Sequence, residues 1–397
     1  VKKTNYIKTF LLGFGFFAIS LTWTVYNAFV PLLLKRFITS AALIGFIMTF
    51  DNYFALIMQP AIGNWSDRIN TKFGRRMPFV LIGMPLATIF IILMPNYSGL
   101  ATLIIFLLFM NLSMSIFRAP VISLMPDITP KKDRSMANSI INFMGGIGAV
   151  AATLVGAILW SKNNKYPFYM AAVLMVLSLI VLFVFIKEKN DVIDYEAIND
   201  GKKLNLIEDI GLLFKNRDAF LLLLAICSWF IAYQGVQSIF TLYAKSYIGV
   251  SEGTAAMTLT FFSVAFLLFA IPAGILGTKL GKRKTILIGI TGMVLVFILL
   301  SLTKSITTIR MLFIVGGMFW SAVNINSYPF IADMAPDGNI GTYTGFYYFF
   351  SSVAAIVSPP LVGLFMDLIS YKVLFIYSAV FYFVALIFIL LIKNKGK

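Results

Sequence analysis

Two ionisable side chains stand where charge is costly. Asp51 is the only aspartate placed deep within a long apolar stretch, and Arg118 is the one cation well inside another. The four glutamates, Glu188, Glu196, Glu208 and Glu252, all fall outside such interiors. Ionisable groups in lipid face a cavity or a partner, and desolvation disfavours the charged form of a carboxyl group. The chain has no histidine, the side chain best suited to titrate near neutrality. Asp51 is therefore, by elimination, the expected proton carrier. Sodium stays open as the coupling ion, because Asn52 and other helices could add the oxygen ligands it needs. At 1.5 Å per residue, Asp51 lies about 24 Å along its helix from the loop edge at Asp67, and Arg118 about 12 Å from the edge at Pro126. That gap predicts coupling between Asp51 and Arg118 through water or substrate, not a fixed direct pair.

These residues must be positioned by membrane helices. Hydrophobic residues make up 60% of the chain and mean hydropathy is +0.91. A bilayer core needs about 20 apolar residues per helix. Such stretches run over 9–34, 41–66, 77–96, 100–126, 135–161, 166–187, 218–246, 252–279, 285–303, 307–333, 340–369 and 371–393. The expected fold class is an all-α integral membrane protein of twelve transmembrane helices. The first span is too long for a signal-peptide core and reads as a retained helix.

The net charge of +16 does not describe a nucleic-acid surface, because the cations lie on short loops. They gather at Lys2, Lys3 and Lys8, at Arg68–Arg76, at Lys131–Arg134, across 187–217, at Lys279–Lys284 and at the C-terminus. Alternate loops are poor in them, and 334–340 has none. This is the positive-inside pattern, with both termini cytoplasmic. The lone Cys227 excludes an intrachain disulfide. No metal-ligand cluster or nucleophile–base arrangement appears in a span, so neither an enzyme nor a cofactor is expected.

The polar segment 188–217 reads as a cytoplasmic linker, with a short amphipathic helix near Leu204–Phe214. It divides the chain into six-span bundles at 1–187 and 218–397. The halves repeat at an offset of about 206 residues: Gly74-Arg75-Arg76 with Gly281-Lys282-Arg283, Asp127 and Pro130 with Asp333 and Pro336, and Trp23 with Trp229. Asp51 and Arg118 correspond by that offset to Met257 and Asn324, so the coupling charges are confined to the first half. Parallel six-helix repeats are the plan of major facilitator transporters, whose substrate site lies near the midplane.

The loop after the second span, GNWSDRINTKFGRRMPF at 63–79, resembles the major facilitator loop signature. It is more closely similar to the form in sucrose transporters and their bacterial relatives. A second run, RAPVISLMPDITPKKDRSMANSI at 118–140, resembles the fourth-helix segment of that group. Plant sucrose transporters carry an Arg where this chain has Ile122, and Arg118 stands one turn earlier. The more distantly similar glycoside–pentoside–hexuronide symporters carry acidic residues where Ala55 and Gln59 stand, aligned on Pro60. The resemblance implies a monomeric transporter in the cytoplasmic membrane, working by alternating access. Its expected gate residues are Asp67, Arg68, Gly74, Arg75, Arg76, Asp127, Arg134 and Asp333. Asp67 is expected to face a helix N-terminus, and Arg75 and Arg76 to lie beside the headgroups.

In that group the first, fourth, seventh and tenth helices line the cavity. The candidates for substrate contact are Trp23, Tyr26 and Asn27, then Asn52 and Arg118, then Trp229, Tyr233 and Gln237 on one helical face, and Trp320 and Asn324. Aromatic faces stack on sugar rings while amides and Arg pair hydroxyls. The expected function is sugar:proton symport, with a disaccharide such as sucrose or maltose as substrate. An exporter of amphipathic compounds by proton antiport and a non-transporting sugar receptor remain the alternatives. Gly148, Ala152 and Gly156, at four-residue spacing, are expected to pack the halves together, and Pro359-Pro360 to kink the eleventh span.

Overall fold

The computed structural model describes residues 6–69, 71–129, 134–188, 216–335 and 340–393. Twelve helices among them are long and apolar enough to cross a membrane. Helices suit this setting because each satisfies its own backbone where lipid offers no partner. The proposed amphipathic helix near Leu204–Phe214 lies outside the described residues.

The second span is in two pieces, so thirteen α-helices form the twelve spans. In the first half these are α1 (Tyr6–Leu34), α2 (Ala41–Met48), α3 (Phe50–Arg68), α4 (Met77–Leu93), α5 (Leu100–Ile128), α6 (Arg134–Lys162) and α7 (Tyr166–Phe185). In the second they are α8 (Arg217–Tyr243), α9 (Glu252–Leu280), α10 (Lys282–Ser301), α11 (Ile306–Asp333), α12 (Ile340–Leu368) and α13 (Val373–Leu391).

By contacts the chain forms two compact units. The described residues of the first are 6–37, 50–188 and 252–257, and those of the second are 38–49, 216–251 and 258–393. Each has the same internal pairings. In the first, α1 packs on α6, and α4 on α5 and α7; in the second, α8 packs on α12, and α10 on α11 and α13. The division at 188–217 thus has two exceptions. Residues 38–49 join the second unit, and 252–257 join the first.

Both exceptions have a local cause. The Asp367 carboxylate accepts hydrogen bonds from Ser40 Oγ (2.6 Å), Ala41 N–H (2.7 Å) and Ala42 N–H (3.0 Å). A carboxylate at a helix N-terminus satisfies orphan N–H groups and meets the positive end of the dipole. A turn further on, Gly45 lies so close to the Pro359 carbonyl that a Cβ would collide with it. Pro359 and Pro360 are accommodated within the continuous helix α12. In the first unit, Trp160 Nε1 donates to Glu252 at 2.7 Å.

The small-residue stripe of α6 serves a different interface from the one expected between halves. A Cβ on Gly148 would meet the Phe17 carbonyl, and Gly156 sits against the Phe29 ring. The stripe lets α1 approach α6 inside the first unit, where backbone proximity replaces side-chain interdigitation.

Gly45→Val is expected to destabilise the protein by about 1–3 kcal/mol, read as a lower thermal midpoint in detergent. Gly345→Ala is the control, because a Cβ there meets nothing within 4 Å. Equal midpoints for the two variants would contradict the close α2–α12 packing.

Candidate functional site

The charged pair of the first unit is assembled by α1, α3 and α5. The second span breaks at Thr49, whose hydroxyl bonds back to the Phe46 carbonyl at 2.7 Å. Helix α3 restarts at Phe50, so Asp51 stands in its first turn. Asn52 Nδ2 donates to Asp51 Oδ1 at 2.7 Å. The Asp51 charge acts on both Arg118 and the Tyr26 hydroxyl, yet Asp51 and Arg118 share no salt bridge. The Arg118 guanidinium lies over the Trp23 ring at 5.9 Å, close enough for a cation–π contact. Trp23 in turn meets Tyr26 edge-on at 5.6 Å.

Five of the expected residues, Trp23, Tyr26, Asp51, Asn52 and Arg118, therefore form one cluster. Asn27 is half-buried on the same helix. Sequence reasoning missed a sixth member, Asn111. It is fully buried on α5 beside the Tyr26 hydroxyl. Its signal was present: a lone amide in an apolar stretch, two helical turns before Arg118 and so on the same face.

In the second unit the expected face of α8 divides. Trp229 is wholly enclosed, so this conformation does not bring it to an open surface. Tyr233 stacks flat on Trp320, with centroids 4.4 Å apart and planes at 8°, and Phe230 meets Trp320 edge-on at 5.7 Å. Gln237 and Asn324 are half-buried.

The turn at 71–76 is a buried electrostatic knot. Gly74 adopts φ +111, a region that favours glycine, and its backbone pairs with Thr71. Arg75 and Arg76 do not lie beside headgroups as expected; each is about 4% exposed. Arg75 Nη2 reaches Asp127 Oδ1 at 2.8 Å and Arg76 Nε reaches Asp127 Oδ2 at 3.2 Å. Arg76 also donates to Ser66 Oγ and, at 3.3 Å, to the Gly63 carbonyl. The unforeseen partner is Glu188, which the linker reading had left in solvent. Its carboxylate accepts from the backbone N–H of Arg75, Arg76 and Met77 at 2.9–3.0 Å, capping α4 from a distant part of the chain. Asp127 and Glu188 together bring the local charge close to balance, which lets both guanidiniums be buried.

The repeat keeps a lighter version. Gly281 has φ +88, and Lys282 pairs with Asp333, but there the side chains are 30% and 59% exposed. Arg68 is exposed. The side chains of Asp67 and Arg134 lie outside those described.

The sequence pattern of the Major Facilitator Superfamily matches residues 12–251 and 237–397. The chain belongs to the major facilitator superfamily. Its members are transporters, not enzymes. Solved structures share the fold: the nucleoside transporter NupG superposes with TM-score 0.78 at 13% identity, covering 97% of this chain and 99% of that one. A bacterial homolog of the human lysosomal transporter Spinster gives 0.76 at 15%, covering 100% and 98%. The sucrose transport protein SUC3 of Arabidopsis thaliana is 25% identical over 187 residues, 38% of this chain and 32% of its own length. The class H tetracycline resistance protein of Pasteurella multocida is 24% identical over 66% of this chain and 65% of its own. The fosmidomycin resistance protein of Escherichia coli (strain K12) is 23% identical over 93% of this chain and 89% of its own. The chain thus spans about a third and about two thirds of the first two of these relatives.

Asp127→Asn strips two buried guanidiniums of their shared partner and is expected to cost about 3–5 kcal/mol. Asp333→Asn at the exposed counterpart costs at most about 1 kcal/mol. Thermal melts of the two purified variants compare them directly; equal losses would mean the Asp127 knot is not the stronger of the two.

Proposed function

We propose that the protein is a sugar:proton symporter of the cytoplasmic membrane, with both termini cytoplasmic and Asp51 as the proton carrier. The single observation that carries this reading is the cluster of Asp51, Asn52, Arg118, Trp23 and Tyr26 on three helices of one unit. It pairs one ionisable carboxyl group with hydroxyl-binding donors and aromatic faces, the set that a polyol needs. In this reading a substrate bridges Asp51 and Arg118, which share no direct bond. Binding then changes the field at Asp51, and a proton shifts the conformational equilibrium only through such differential affinity. The alternation of basic loops supports the orientation. In this reading the Asp127 knot and the Lys282–Asp333 pair serve as gate elements. The likeness to a sucrose transport protein points the same way.

The resistance-protein relatives carry a second reading. One of them matches over 93% of this chain, and proton antiport would export an amphipathic compound through the same carboxylate. Competition by sugars or by lipophilic cations separates the two.

Uptake into proteoliposomes under an inward proton gradient tests the proposal. Wild type is expected to concentrate one sugar from a panel of mono- and disaccharides. Asp51→Asn is expected to abolish concentration while keeping equilibrative exchange of that sugar. Uptake indifferent to the gradient would remove Asp51 from the coupling role, and absence of sugar uptake by folded protein would end the sugar reading.

A further inference from the structure

We propose that the edge of the first unit at Lys72 and Lys187 is a binding site for one anionic phospholipid. Its phosphate sits at the two ammonium groups and an acyl chain runs along α7. The site is independent of the transported substrate.

The turn that opens α4 sorts its cations by what faces them. Arg75 and Arg76 point inward onto Asp127 and Glu188. Those two carboxylates are only 7% and 1% exposed, so they do little to offset charge at the surface. Lys72 stays exposed and forms no salt bridge among the described residues. The headgroup contact expected of the two arginines thus falls to the lysines beside them.

These lysines are held by aromatic rings. Thr71 Oγ1 accepts from the Phe73 N–H at 3.2 Å and donates to the Gly74 carbonyl at 2.7 Å, which fixes the tip of the turn. Lys72 Nζ lies over the Phe73 ring at 5.1 Å. That ring meets Phe183 of α7 at 5.9 Å, with planes at 60°. Lys187 Nζ lies over Phe183 at 5.4 Å and donates to the Phe183 carbonyl at 3.2 Å. Both contacts are within cation–π range. Two cations therefore flank a pair of touching rings drawn from distant parts of the chain.

The surroundings select a lipid over a soluble anion. Both rings are 40% exposed. Val173, Leu177, Ile180 and Val184 are also exposed and follow helical spacing up α7 to the patch. This apolar stripe offers an acyl chain a continuous path, while the rings sit at the level where aromatic belts meet headgroups. A peptide or a nucleic acid would use the lysines and leave the stripe uncovered. A zwitterionic headgroup carries its own cation toward the lysines, whereas an anionic one does not. In the orientation proposed above, the edge faces the cytoplasmic leaflet, where anionic lipids attract basic residues.

The repeat supplies a comparison. By its offset, Lys72 and Lys187 correspond to Lys279 and Lys393, which are exposed as well. Phe73 and Phe183 correspond to the aliphatic Leu280 and Leu390. The second unit keeps the charges without the rings that hold them in place.

Native mass spectrometry of the purified full chain tests the proposal, by titration with phosphatidylglycerol and with phosphatidylcholine of the same acyl chains. Wild type is expected to bind its first phosphatidylglycerol about 20- to 30-fold more tightly than phosphatidylcholine, at about fivefold per lysine. Lys72→Gln combined with Lys187→Gln is expected to bind the two lipids alike. Lys72→Arg combined with Lys187→Arg keeps the charge and is expected to keep the preference, which separates the site from a folding defect. Lys279→Gln combined with Lys393→Gln is expected to leave the first lipid unchanged. The proposal is overturned if wild type shows no preference, or if the two glutamine pairs lose it equally, since the lipid would then follow net charge alone. Displacement of phosphatidylglycerol by millimolar glycerol 3-phosphate would overturn it as well, by making this a site for soluble phosphate.

Discussion

Hydrocarbon offers no water to a polar group, and this constraint orders the whole molecule. Every span is helical because the helix satisfies its own backbone. Isolated hydroxyls follow the same rule: Thr88 bonds back to the Met84 carbonyl and Ser178 to the Leu174 carbonyl. Helix ends that cannot satisfy themselves recruit carboxylates from afar, Glu188 for α4 and Asp367 for α2. Against so consistent a background, a cluster of unsatisfied atoms stands out. Between α1 and α5, Thr22, Trp23 and Arg118 keep buried polar atoms without such a partner.

The two halves of the repeat diverge according to what each region must do. Their turns retain the same devices: a glycine at positive φ, then a cation paired to an aspartate two spans further along the chain. Those devices are dictated by the path of the chain, so either half needs them. The middles of the spans have no such obligation. Where the first half carries Asp51 and Arg118, the second has Met257 and Asn324. In place of charge the second unit builds an aromatic stack around Trp320. A flat stack gives shape and apolar area but no charge.

What was legible in the sequence follows the range of the interactions involved. Span positions are local sums of hydropathy, and all twelve could be read. The cluster around Asp51 could be assembled because charges and indoles are rare in apolar stretches, so rarity alone singled out Trp23, Asp51 and Arg118. Glu188 was misread because its partners are backbone N–H groups over 110 residues away, and a backbone carries no compositional mark. The Gly148 stripe announced close packing but not its partner, since small residues accept any helix. Arg75 and Arg76 looked like surface anchors because their counter-charges come from Asp127 at the end of α5 and from Glu188, both distant in the chain. Asn111 was the avoidable miss: its spacing to Arg118 was visible, but an amide attracts less notice than a charge.

The break at Thr49 places the carboxylate just beyond the interruption of the second span. A threonine hydroxyl that bonds back into its helix favours a bend, and Thr49 does so immediately before α3 restarts. Beyond the break, α2 is held at its far end by Asp367 and by the contact of Gly45 with Pro359. On the near side, Asp51 stands in the first turn of α3, its carboxylate accepting from the Asn52 side-chain amide. A charged carboxylate in a first helical turn supports that start, and a neutral one supports it less. The Asn52 amide donates to the Asp51 carboxylate at 2.7 Å. Any change in the charge of Asp51 would therefore act on the same turn that fixes where α3 begins.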